Sequence, residues 1–146
     1  MRLWHKSLIT ILPKEQLVAQ WRELSAIAGA IQKNGTPNHG LVNFVLDYDY
    51  EHFISYAYYI RKEMTARGYR TMDKVWYKIT SLKEDGDILP IKEVYAEKMD
   101  DFYFKVCLYN LMEKVSCGMI SELYAECIKT IWKEEIIPHE TFSIRL

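Results

Sequence analysis

The stretch from Pro13 to Pro37 constrains the fold more than any other. Leu17, Trp21, Leu24, Ala28 and Ile31 recur at the spacing of one helix face. A strand, whose faces alternate every second residue, cannot bury that set together. Pro13 suits the first helical position, where its missing N–H costs no bond. Asn34-Gly35, with Pro37 just beyond, is helix-stop chemistry. The chain is thereby committed to an amphipathic helix, and one apolar stripe needs further elements to cover it.

The rest of the sequence supplies mostly helices. A second pattern runs from about Tyr50 to Arg67, with Phe53, Ala57, Ile60 and Met64 on one face, Asp49 as its cap and Gly68 past its end. Residues 72–87 are ambiguous: Val75, Tyr77 and Ile79 alternate like a strand, whereas Val75, Ile79 and Leu82 fit a helix. Pro90 opens a helical pattern through Ile91, Val94, Met99, Phe102, Val106 and Tyr109, with a break near Asp100-Asp101. A last helix carries Met119 or Ile120, Leu123, Cys127, Ile128 and Ile131, with Ser116 as its cap and Pro138 after its end. No repeat or linker interrupts the 146 residues. The expectation is an all-α, compact single-domain helical bundle with long loops over residues 1–146.

Composition narrows the function. With 49% hydrophobic and 27% charged residues the chain is not intrinsically disordered. No apolar run approaches a membrane span, and the opening Met1-Arg2-Leu3-Trp4-His5 has no signal-peptide pattern, so no membrane contact and a cytoplasmic location are expected. Cys107, Cys117 and Cys127 lack metal-ligand spacing and read as three reduced core thiols. The four histidines are scattered, and no metal or cofactor motif occurs. The net charge of −1 excludes a strongly basic nucleic-acid wrapper. It hides an asymmetry. Over residues 1–33, Arg2, Lys6, Lys14, Arg22 and Lys33 stand against Glu15 and Glu23, a net +3. From residue 74 onward, 10 basic residues face 13 acidic ones, a net −3.

On the first helix, Gln16, Gln20 and Glu23 stack along one flank of the apolar stripe and Arg22 lies on the other. From spacing alone, Arg22 and Glu23 are either solvated flank residues or the border of a cleft.

The segment Leu17-Val18-Ala19-Gln20-Trp21-Arg22-Glu23-Leu24, continuing through Gly29-Ala30-Ile31, resembles the N-terminal region of the pyrimidine dimer DNA glycosylases, at the same distance from the N-terminus. His52-Phe53, Arg61-Lys62-Glu63-Met64 and Arg67-Gly68-Tyr69 resemble that family's second helix and its end. The resemblance covers residues 1–70; residues 71–146 show no clear match, and the family's aromatic C-terminal tail is replaced by Thr141-Phe142-Ser143-Ile144-Arg145-Leu146.

The resemblance implies a DNA repair glycosylase with AP lyase activity on pyrimidine dimers. In that chemistry the chain's own α-amine attacks C1′ of the damaged nucleotide, expels the base and forms an imine, which permits strand cleavage by β-elimination. An α-amine titrates near about 7.7–8, against about 10.4 for lysine, so a useful fraction is nucleophilic at neutral pH. A carboxylate beside it stabilises the cation and shuttles protons. The resemblance places that carboxylate at Glu23 and the nucleophile at Met1. Arg22 and Arg2 become phosphate contacts to double-stranded damaged DNA, with Trp21 and His5 lining the interface. No metal and no cofactor are implied, and the oligomeric state stays open.

Three departures stand out. Residue 2 is Arg, before which Met1 is normally retained, so the amine sits one residue, about 3.5 Å, further out. Gln16 occupies the family's histidine position, and Ala26 that of a second arginine. A non-catalytic helical DNA- or protein-binding module on the same scaffold is the alternative.

Overall fold

Helix α1 spans Lys14–Asn34 and ends at Gly35 with φ 76°, a left-handed stop whose N–H returns to the Ile31 carbonyl. The structure, a computed structural model, describes residues 1–137; Pro138 and the terminal stretch 141–146 lie outside them. Leu17, Trp21, Leu24, Ile27 and Ala28 form the buried face of α1, as their spacing requires. Helix α2 spans Tyr50–Ala66. It closes with Gly68 at φ 79°, the Tyr69 N–H on the Met64 carbonyl and the Gly68 N–H on Thr65. Asp49 holds the cap position of α2, but its side chain makes no capping bond.

The ambiguous segment resolves into helix α3, Asp73–Thr80, and no strand occurs among the described residues. Val75 and Ile79, one turn apart, face the groove between α1 and α2, with Ile79 fully buried, while Tyr77 points to solvent. Packing against two helices overrides the local alternation. Helix α4 is Asp101–Ser116, and α5 is Glu122–Glu135. The Asp100 carboxylate caps α4 by accepting the Tyr103 N–H at 2.8 Å, which explains the expected break at Asp100-Asp101.

Three expectations are corrected here. The pattern beginning at Pro90 gives only a short 3-10 turn at Ile91–Glu93 before an irregular segment, because Tyr95 adopts φ 48° and no helix passes through that conformation. Ser116 ends α4; Gly118, with φ 70°, turns the chain, and Ser121 occupies the cap of α5. Of the three cysteines only Cys107 is in the core; Cys117 is exposed and Cys127 half-buried.

Helix α1 packs on α2 and α3, and α4 packs on α5. One continuous apolar core runs from Leu3 through all five helices to Ile136. No helix among the described residues is long and apolar enough to cross a membrane.

The irregular segment 91–100 is held by two neutral histidines. His5 Nε2 faces the Met99 carbonyl at 2.8 Å while its Nδ1 accepts the Ser7 N–H at 3.1 Å. His52 Nδ1 accepts the Tyr95 N–H at 3.0 Å. Lys6 Nζ adds bonds to the carbonyls of Lys92 at 2.9 Å and Val94 at 2.6 Å. Burial is the main cause that holds both imidazoles below their ordinary value. The unfolded chain, titrating near about 6.5, therefore takes up protons that the folded chain refuses. This contribution to stability is complete above about pH 6.5 and is lost progressively as the pH falls below it. Thermal melts across that range should show the decline. His52→Asn, which keeps an acceptor near the Nδ1 position without a titrating group, should flatten part of it; an unchanged slope would remove His52 from the account.

Candidate active site

The opening segment, residues 1–5, belongs to no helix and lies across α1, α2 and α4. Side chains of three helices bond its backbone. Gln20, on α1, spans two of its residues: its Oε1 accepts the Trp4 N–H at 2.8 Å and its Nε2 donates to the Arg2 carbonyl at 2.9 Å. The Tyr56 hydroxyl, from α2, sits 2.7 Å from the Trp4 carbonyl and 2.8 Å from Gln20 Oε1. The Tyr103 hydroxyl, from α4, donates to the Leu3 carbonyl.

This anchoring brings Met1 and Arg2 beside Glu23. A cleft of about 360 Å³ is lined by Met1, Arg2, Gln16, Glu23, Asn110 and Lys114, among others. Glu23 is half-buried, and burial raises its carboxyl above the ordinary value. The N-terminal charge, a hydrogen bond from the Arg2 backbone N–H, Arg22 and His39 act in the opposite direction. A carboxyl so placed is raised by its surroundings yet faces positive charge, the combination a proton-shuttling group needs. Gln16 Oε1 is buried in the same wall with no hydrogen-bond partner.

The expected site residues divide into three sets. Met1, Arg2 and Glu23 share the cleft. The Arg2 guanidinium turns partly inward, 5.9 Å from the Trp4 ring centroid and in hydrogen-bonding reach of the Tyr103 hydroxyl. Arg22 is exposed on the adjoining face of α1, where it rims a separate groove of about 290 Å³ with Arg70. Trp21 and His5 are each only 5% exposed. The Trp21 indole belongs to the apolar stripe of α1, and His5 spends both ring nitrogens on backbone groups. His5 presents no face to a duplex in this conformation, and the Trp21 indole, almost wholly covered, contributes only to the lining of the groove that Arg22 rims.

Sequence reasoning missed Gln20, Asn110 and Lys114. For Gln20 a signal existed. It lies three residues after Leu17 and four before Leu24, so it shares their face, and a polar residue at such a position marks a buried hydrogen-bonded site. It is fully buried. Asn110 and Lys114, one turn apart on α4, reach the cleft only through tertiary packing, and no local pattern announces them.

Among the described residues, no group of three or more His, Cys, Asp or Glu side chains is arranged to hold a metal ion. No curated protein and no solved structure matches the chain. The sequence profile of one family, described as pyrimidine dimer DNA glycosylase, matches residues 1–77, which include the opening segment and all of α1 and α2. Over half of the sequence is covered by that match, and the chain belongs to the pyrimidine dimer DNA glycosylase family.

Proposed function

We propose that the protein excises pyrimidine dimers from double-stranded DNA and cleaves the resulting abasic strand, with the Met1 α-amine as nucleophile. The observation that supports this reading is the shared cleft of Met1, Arg2 and Glu23, with the Glu23 carboxylate accepting the Arg2 N–H next to the amine. The amine bonds to C1′ as the base leaves, and an imine forms. Loss of a C2′ proton from the imine then expels the 3′ phosphate and breaks the strand. Glu23 stabilises the cationic sugar and imine and carries protons between these steps. Gln16 Oε1 offers an unengaged acceptor to the extruded nucleotide, in place of the family's histidine.

Borohydride added to the protein with an abasic or dimer-containing duplex should trap a covalent adduct at the N-terminus. The absence of an adduct overturns the reading.

Arg22, exposed on the adjoining face of α1, and Lys114, in the lining of the Glu23 cleft, are the side chains best placed for backbone phosphates. Arg22→Ala and Lys114→Ala should each weaken duplex binding uniformly across sequences and reduce the slope of log affinity against log salt by about 1. Fluorescence anisotropy over a salt series measures both. A slope unchanged in either variant removes that residue from the interface.

A non-catalytic module on this scaffold is the second reading, favoured by Gln16 at the histidine position and by Ala26, exposed where the family carries an arginine. Tight duplex binding without cleavage, indifferent to a blocked N-terminal amine, is its signature.

A further inference from the structure

We propose that Gln20, with Tyr56 and Tyr103, forms a register lock that sets where the N-terminal amine lies in the cleft. This rests on the Met1 amine being the nucleophile.

Chain termini are ordinarily the least ordered part of a domain unless something ties them down. Residues 1–5 belong to no helix, yet side chains bond the carbonyls of Arg2, Leu3 and Trp4 and the N–H of Trp4. The partners come from three helices far apart in sequence. Gln20 holds Arg2 and Trp4, two residues apart, and Tyr103 holds Leu3 between them. A slip by one residue would put the wrong groups before both. It would also pull the Leu3 side chain, which is fully buried, out of the core. Gln20 and Tyr56 are themselves fully buried, so they hold these positions without competition from water.

The lock bears directly on the reaction. One step of register moves the terminal nitrogen by about 3.5 Å. An imine-forming amine tolerates far less, since an offset near 1 Å costs about a hundredfold in rate. Gln20 is therefore a positioning residue: it touches neither substrate nor reacting atoms and acts through the backbone it holds.

The test uses the full chain and an abasic duplex. Gln20→Met keeps the bulk and removes the amide; Tyr56→Phe removes one hydroxyl. Tyr59→Phe, whose hydroxyl bonds the Leu89 carbonyl, is the control for loss of a tyrosine hydroxyl outside the lock. Under saturating protein, borohydride trapping by Gln20→Met should slow by about a hundredfold. Duplex affinity should stay within about twofold of wild type, a change smaller than about 0.4 kcal/mol. Tyr59→Phe should trap at the wild-type rate. A wild-type trapping rate in Gln20→Met overturns the lock, and if that variant does not fold, Tyr56→Phe decides by the same comparison.

A separate readout does not need the reaction. The terminal amine, reductively methylated with ¹³C, should give a sharp signal in wild type that shifts or broadens in the variant. If wild-type protein traps no adduct, the nucleophile assignment fails, and this signal decides the lock alone. An identical signal in both proteins overturns it.

Discussion

Glu23→Gln should slow imine trapping and strand cleavage by about 10²–10⁴-fold while leaving duplex binding nearly unchanged. Glutamine preserves the size of the side chain and still accepts the Arg2 N–H, so the opening segment stays in place. It carries no negative charge to oppose the cationic sugar, and it cannot take up and return a proton. Single-turnover trapping with an abasic duplex separates the chemical step from binding. A variant that cleaves as fast as wild type would remove Glu23 from the mechanism.

The same substitution has a stability consequence of known sign. Burial raises the Glu23 carboxyl in the folded protein, so the folded state holds that proton more tightly than the unfolded chain does. Its ionisation therefore costs stability as the pH climbs above the unfolded value near about 4.3. Glu23→Gln escapes that cost, and its melting temperature at neutral pH should be no lower than that of wild type.

Trp21→Ala should be costly in the opposite currency: about 3–5 kcal/mol of folding stability, read from the midpoint of a urea titration at unchanged slope. The indole is 5% exposed within the core stripe of α1, so its removal leaves a cavity in a close-packed interior. Under stabilising conditions, where the variant is folded, its duplex affinity should match wild type. Lost affinity in a variant of unchanged stability would return Trp21 to the DNA interface, where the family resemblance had placed it.

The contrast between these residues shows what a sequence discloses. Helix α1 and its two ends were legible because Pro13, the stripe from Leu17 to Ala28 and Gly35 are local signals that agree with one another. Helix α2 was legible for the same reason, with Gly68 as its stop. The segment after Pro90 was not, since the left-handed Tyr95 is imposed by the aromatic side chains of Phe44, Tyr48 and His52 packed around it, all distant in sequence. Residues 73–80 were ambiguous because alternation and helical spacing coincide over so short a run, and only contact with α1 and α2 decides between them. Glu23 was singled out through its motif, and the structure puts it in the cleft beside Met1. His5 was named because its sequence position lies near Met1, whereas its ring turns back into the core. Asn110 and Lys114 carry no motif, and their place in the cleft follows from where α4 packs.

The cleft also crosses a boundary that the sequence does not mark. One wall, with Met1, Arg2 and Glu23, lies inside the family match of residues 1–77, and the other, with Asn110 and Lys114, lies outside it. The recognisable half is therefore not a transplantable catalytic cassette. Grafted alone onto another scaffold, it would bring its motif but only one side of the chamber, and without Tyr103 it would lose the bond to Leu3. Conversely, drift along α4 can reshape what the chamber admits while the motif that identifies the lineage stays untouched.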